Sequence, residues 1–105
     1  MKINFNTAVV LIPHQDDEIN LLGGLIPLLR NLGVDFHFVY LTNGDAFFNG
    51  DIRIREAINA LKILGIEKSN IHFLGYPDSN NLLQNCLYKH QDVLTTKYGN
   101  RTYGY

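Results

Sequence analysis

The chain has 105 residues and a formal net charge of −1, long enough for one compact domain and too short for two. So small a charge leaves no electrostatic footprint for nucleic acid or an anionic membrane surface, and a small neutral or polar substrate is the simpler expectation. The single cysteine, Cys86, admits no internal disulfide, the N-terminus lacks a signal-peptide core, and no stretch approaches the ~20 apolar residues of a membrane span. A reducing compartment follows, and by elimination the cytoplasm. Cys86 itself reads as a small buried apolar residue.

The run Ala8-Val9-Val10-Leu11-Ile12 is short, β-branched and uninterrupted, which suits a first strand buried on both faces of a parallel sheet. Pro13-His14-Gln15-Asp16-Asp17-Glu18 follows at its C-terminal end, the edge where open α/β sheets form their binding crevices. His14 and Asp17 stand three positions apart across a strand-to-helix turn, so an imidazole and a carboxylate can converge on one cation. Mixed N and O ligands suit zinc, and Asp16 is then free to act as general base. Acidic residues before an apolar helix also form an ordinary N-terminal cap, and spacing leaves both readings open.

Ile19, Leu21, Leu22, Leu25, Ile26, Leu28 and Leu29 recur at helical spacing and stop at Gly33. Pro27 collides with the carbonyl of Gly23, so one kinked helix is expected, with Gly23-Gly24 allowing close approach to the sheet. Val34 to Leu41 reads as a second strand, with Phe36, Phe38 and Tyr40 on one face and His37, Val39 and Leu41 on the other. His37, in mid-strand, is read as structural. Thr42-Asn43-Gly44-Asp45 leaves that strand on the same rim; Asp45 is either a carboxylate behind the cation site or a turn residue. The adjacent aromatics of Ala46-Phe47-Phe48-Asn49-Gly50 suit a pocket wall or plain packing.

Asp51 is expected to cap a second helix, Ile52 to Leu64, closed by Gly65. Arg53 and Glu56 share a face and read by themselves as an ion pair. Ser69 to Leu74 is a third strand, with His72 in its body, and strand-helix alternation argues for a right-handed βαβαβ unit. Asp78, in the loop that follows, is a turn carboxylate or a substrate contact. Beyond Asn80 the apolar residues Leu82, Leu83, Cys86, Leu87, Val93 and Leu94 suggest one helix or two. His90 reads as solvent-exposed or as a displaced cation ligand, and the aromatic tail to Tyr105 resembles an interrupted loop.

The 13–18 segment resembles the His-Pro-Asp-Asp-Glu signature of the PIG-L/LmbE-like family of metal-dependent N-deacetylases. Leu41-Thr42-Asn43-Gly44-Asp45-Ala46, Arg53 and Glu56 before Leu64-Gly65, and Phe73-Leu74-Gly75-Tyr76-Pro77-Asp78 resemble its later motifs in the same order. The resemblance implies an α/β, Rossmann-like three-layer αβα domain with a parallel sheet, of which residues 1–105 would be a single, truncated N-terminal half. It implies zinc on His14 and Asp17, Asp16 as general base, and Arg53 and Asp78 near the substrate sugar. The implied reaction removes acetyl from an N-acetylglucosamine-type conjugate by attack of metal-activated water.

Two departures bear on that reading. Gln15 stands where the family usually has proline, restoring a backbone donor and loosening the turn. The family's third metal ligand comes from a late histidine, downstream of every motif matched here. The alternative is therefore a catalytically incompetent chain that pairs with another copy through an exposed core. Dinucleotide binding lacks support, because no Gly-x-Gly-x-x-Gly follows the first strand.

Overall fold

The computed structural model describes residues 2–44, 48–76 and 78. Expectations for Asp45, Ala46 and Phe47, for Cys86 and His90, and for the apolar pattern and tail beyond Asn80 lie outside the described residues. Three strands, β1 (Thr7–Ile12), β2 (Asp35–Thr42) and β3 (Ile71–Tyr76), form one parallel sheet in the order β1-β2-β3. Between them run α1 (Asp17–Leu22), α2 (Leu25–Asn31), α3 (Gly50–Ile63) and a short 3-10 turn, Lys68–Asn70. This is the Rossmann-like βαβαβ half that the alternation of periods predicts.

β1 pairs with β2 from Thr7 opposite Asp35 to Ile12 opposite Tyr40, and Phe38 lies opposite Ile71 on the other side. Phe36, Phe38 and Tyr40 therefore share one face, where they join Ile26 and Leu29 of α2 and Ala57 and Leu61 of α3 in a single core. Phe36 stacks on Phe38 at 5.8 Å and Tyr40 on Phe73 at 4.9 Å between ring centroids. His37 and His72 stack on the opposite face. Right-handed crossovers between successive neighbouring strands put the described helices on one side of the sheet.

That topology corrects the expectation that β1 is buried on both faces. Val9 and Leu11 are 63% and 67% exposed, because β1 is an edge strand among the described residues and none of the described helices covers its outer face. The single kinked helix also resolves into two. Gly23 and Gly24 separate α1 from α2, and a Cβ at Gly23 would stand 2.6 Å from the carbonyl oxygen of Ile19, so only glycine permits the close turn. Pro27 then falls in the first turn of α2, where no intrahelical N–H is required.

The second predicted helix begins two residues early. Asn49, not Asp51, is its N-cap, with Asn49 Oδ1 accepting from the Asp51 backbone N–H at 2.9 Å. Asp51 instead sits in the first turn, where the helix dipole favours an acid. No described helix is long and apolar enough to cross a membrane.

Candidate metal and catalytic rim

Three strand exits meet at one edge of the sheet. The Pro13 carbonyl, just past β1, accepts from the Thr42 hydroxyl at 2.7 Å and from the Thr42 N–H at 3.3 Å, which ties the first exit to the second. Asn43 N–H donates to the Tyr76 carbonyl at 2.9 Å and ties the second to the third. Opposite Tyr40 to Thr42, β3 carries one extra residue, with Gly75 at φ 74°, and this bulge turns the chain toward Asp78.

Gln15 tightens this edge rather than loosening it. Its side chain is 2% exposed, and Nε2 donates to the Thr42 carbonyl at 3.0 Å, so an amide does by hydrogen bonding what a proline does by restricting φ. Room for it exists because Gly44, at φ 64°, has no side chain; a Cβ there would stand 2.0 Å from Gln15 Oε1. Sequence spacing cannot report such a fit, since the two residues are joined only by the pairing of β1 with β2.

Asp16 is the only non-glycine residue with positive φ among the described residues, at φ 97° and ψ −24°. It occupies the N-cap position of α1, yet its side chain makes no cap hydrogen bond and is 69% exposed. The ordinary-cap reading thus fails for this carboxylate, which is held out on the rim. Its backbone N–H donates to Glu18 Oε2 at 3.0 Å, and its carbonyl accepts from Ile19 and Asn20. A left-handed aspartate costs about 1–2 kcal/mol relative to ordinary helical backbone, so these contacts must outweigh that strain.

His14 lies between two carboxylates. Nδ1 stands 3.4 Å from Asp17 Oδ2, while Nε2–H donates to Asp78 Oδ1 at 2.8 Å. Two ligands each ~2.0–2.1 Å from one tetrahedral ion would stand ~3.3 Å apart, so the Nδ1 and Oδ2 pair fits two positions of such an ion. Asp78, with a side chain 8% exposed, sits on the far side of the ring and cannot join them. Among the described residues no three His, Cys, Asp or Glu side chains converge to hold a metal. The structure gives Asp78 a role the sequence did not suggest: it fixes which ring nitrogen carries the proton and leaves the Nδ1 lone pair facing Asp17.

Arg53, in the first turn of α3, is likewise placed differently from a free substrate fork. Nη1 donates to the Gly44 carbonyl at 3.1 Å, Nη2 donates to the Gln15 carbonyl, and Nη2 lies 3.6 Å from Asp16 Oδ2. The guanidinium is also 5.7 Å from the Phe48 ring centroid and turns to Asp16 rather than to Glu56. It clamps the first and second exits together and steadies the Asp16 carboxylate.

Glu18 and Tyr40 were not singled out by sequence reasoning. Glu18 is 1% exposed, and the signal for its burial is its position four residues before Leu22, on the apolar stripe of the helix. The Tyr40 hydroxyl is buried beside that carboxyl without a hydrogen bond of ordinary geometry. Burial first, and the Glu18 charge second, push its ionisation far above the usual tyrosine range. An unfolded tyrosine ionises near pH ~10, so above that pH the unfolded chain releases a proton that the folded chain keeps, and stability falls as pH rises. Melting curves taken from about pH 8 to about pH 11 should show this fall, and a smaller one for Tyr40→Phe; identical slopes would refute it.

A cleft of 560 Å³ opens between α1 and α3, with Asp16 and Arg53 on its wall. No curated protein and no solved structure matches the chain. A family model described as PIG-L, GlcNAc-PI de-N-acetylase, matches residues 9–96. That match spans most of the chain and takes in His14, Asp16, Asp17, Arg53 and Asp78, so the chain belongs to the PIG-L family of de-N-acetylases.

Proposed function

We propose that this chain carries the catalytic rim of a zinc-dependent hydrolase that removes acetyl from a small N-acetylglucosamine-type conjugate. The observation that carries the reading is the approach of His14 Nδ1 to Asp17 Oδ2 at 3.4 Å, beside an Asp16 carboxylate left exposed and free of capping duty. His14 and Asp17 would hold the ion, together with a ligand from outside the described residues. A bound zinc supplies a water acidified to a pKa of roughly 7 and polarises the amide carbonyl.

The chain's own residues do the remaining work. Asp78 accepts the Nε2 proton of His14 and so keeps Nδ1 a lone-pair donor. Asp16 takes a proton from the attacking water and returns it to the leaving nitrogen, which releases acetate and a free amine. Arg53 holds that carboxylate against the rim while remaining tied to the Gln15 and Gly44 carbonyls.

The test is amine release from a simple N-acetylglucosamine conjugate with zinc added and then chelated. Chelation should abolish turnover, and His14→Ala should weaken zinc binding by tenfold or more in a metal titration, since each ligand carries a large share of affinity. Turnover indifferent to chelator would sink the proposal. A second reading, a non-catalytic chain that pairs with another copy, is favoured by the exposed Val9 and Leu11 of β1. Light scattering decides it: a dimer without zinc uptake supports pairing, a zinc-binding monomer supports the hydrolase.

A further inference from the structure

Glu18 is a buried acid that the proposed reaction does not use. Its side chain is 1% exposed, and among the described residues the hydrogen bond to its carboxylate comes from the Asp16 backbone N–H, at 3.0 Å to Oε2. The neighbouring Tyr40 hydroxyl makes no hydrogen bond of ordinary geometry. Taking a carboxylate out of water to meet one neutral donor is unfavourable for folding, so stability does not explain the contact. Its effect on Asp16 does.

Helix N-termini commonly close with a reciprocal pair, in which the N-cap side chain accepts from a first-turn N–H while a first-turn acid reaches back to the N-cap N–H. α1 has only the second half. Glu18 reaches back to the Asp16 N–H, whereas the Asp16 side chain makes no cap hydrogen bond. An aspartate at an N-cap ordinarily has extended backbone, which lets its carboxylate fold over the first turn. Asp16 has instead φ 97° and ψ −24°, and its carboxylate lies 3.6 Å from Arg53 Nη2 on the rim.

We infer that Glu18 is a positioning residue for the base: by holding the Asp16 N–H it keeps Asp16 in the left-handed region and its carboxylate off the helix end, open to the attacking water. The inference rests on the reading of Asp16 as that base. Without the Glu18 acceptor, Asp16 relaxes to extended backbone and its carboxylate caps α1 in the usual way. The proton acceptor is then occupied by backbone N–H groups, while the fold sheds a buried charge and a strained residue. Activity and stability move apart, which a plain structural role for Glu18 would not produce.

The test measures turnover of an N-acetylglucosamine conjugate and urea unfolding in Glu18→Leu, which removes the acceptor, and in Glu18→Gln, which keeps one. At equal zinc content Glu18→Leu should lower kcat by about 10²-fold with KM little changed, the scale of a ~1 Å misplacement of a catalytic group, and its urea midpoint should be no lower than the parent's. Glu18→Gln should recover kcat to within about fivefold of the parent, because an amide oxygen still accepts from the Asp16 N–H. In an Asp16→Asn background Glu18→Leu should cost less than about twofold more, since residues that act as one unit are not additive. A Leu variant that loses its folding transition along with activity, a Gln variant as impaired as the Leu variant, or full additivity with Asp16→Asn overturns the inference. Amide hydrogen exchange at Asp16, followed by NMR in the zinc-free chain, reads the same grip without catalysis and should quicken about tenfold or more in Glu18→Leu. Faster exchange there, with Asp16→Asn fully active, supports Glu18 as the holder of Asp16 and fails the base reading alone; unchanged exchange overturns the inference whatever the turnover.

Discussion

Asp16→Asn is expected to lower kcat for deacetylation by roughly 10²–10⁴-fold, the range a positioned general base supplies, with zinc affinity and KM little changed. Asparagine is the informative substitution because Asp16 sits at φ 97°, a region that Asn tolerates and β-branched or bulky residues do not. The amide keeps a hydrogen-bond acceptor for Arg53 and removes only the capacity to take a proton. Arg53 is 3.6 Å from the carboxylate it would lose as an ion-pair partner, and that pair contributes little to folding where Asp16 is 69% exposed. Turnover within threefold of the parent, at equal zinc content, would remove Asp16 from the mechanism. A parallel loss of zinc would instead reassign Asp16 as a ligand.

Phe38→Ala is expected to destabilise the fold by about 3–5 kcal/mol, the cost of deleting a fully buried aromatic and leaving a cavity. Phe38 is 0% exposed at the middle of the central strand, opposite Val10 on one side and Ile71 on the other, and stacked on Phe36. Domains of this size are stable by ~5–15 kcal/mol, so the variant should lose much of its cooperative unfolding transition in urea. A change below ~1 kcal/mol would mean that Phe38 does not sit in a closed core. The same experiment on His72→Ala, on the outer face, should give a small effect, because that residue is exposed and surface substitutions are usually within ~0.5 kcal/mol.

Both predictions depend on a layout in which chemistry is confined to one edge and stability to one face. β2 joins the two: Phe36, Phe38 and Tyr40 anchor the helices, and Thr42 at its end accepts from Gln15 and donates to the Pro13 carbonyl. The hydroxyl of Tyr40 lies buried near Glu18 without a hydrogen bond to it, and Glu18 Oε2 accepts from the Asp16 backbone N–H.

The order of strands and helices was legible in the residues, because apolar periods of two and of 3.6 are local properties that each segment carries by itself. The same holds for the position of His14, Asp16 and Asp17 at a strand exit, and for the shared face of Phe36, Phe38 and Tyr40. What the sequence left open was which group each side chain meets. Asp78 meets His14 across 64 positions, Arg53 meets Gln15 across 38, and Gln15 meets Thr42 across 27. No local pattern encodes those pairs. They exist only once parallel strand pairing has brought the three exits to one edge, and that same pairing decided that β1 shows Val9 and Leu11 to the outside while Glu18 goes in.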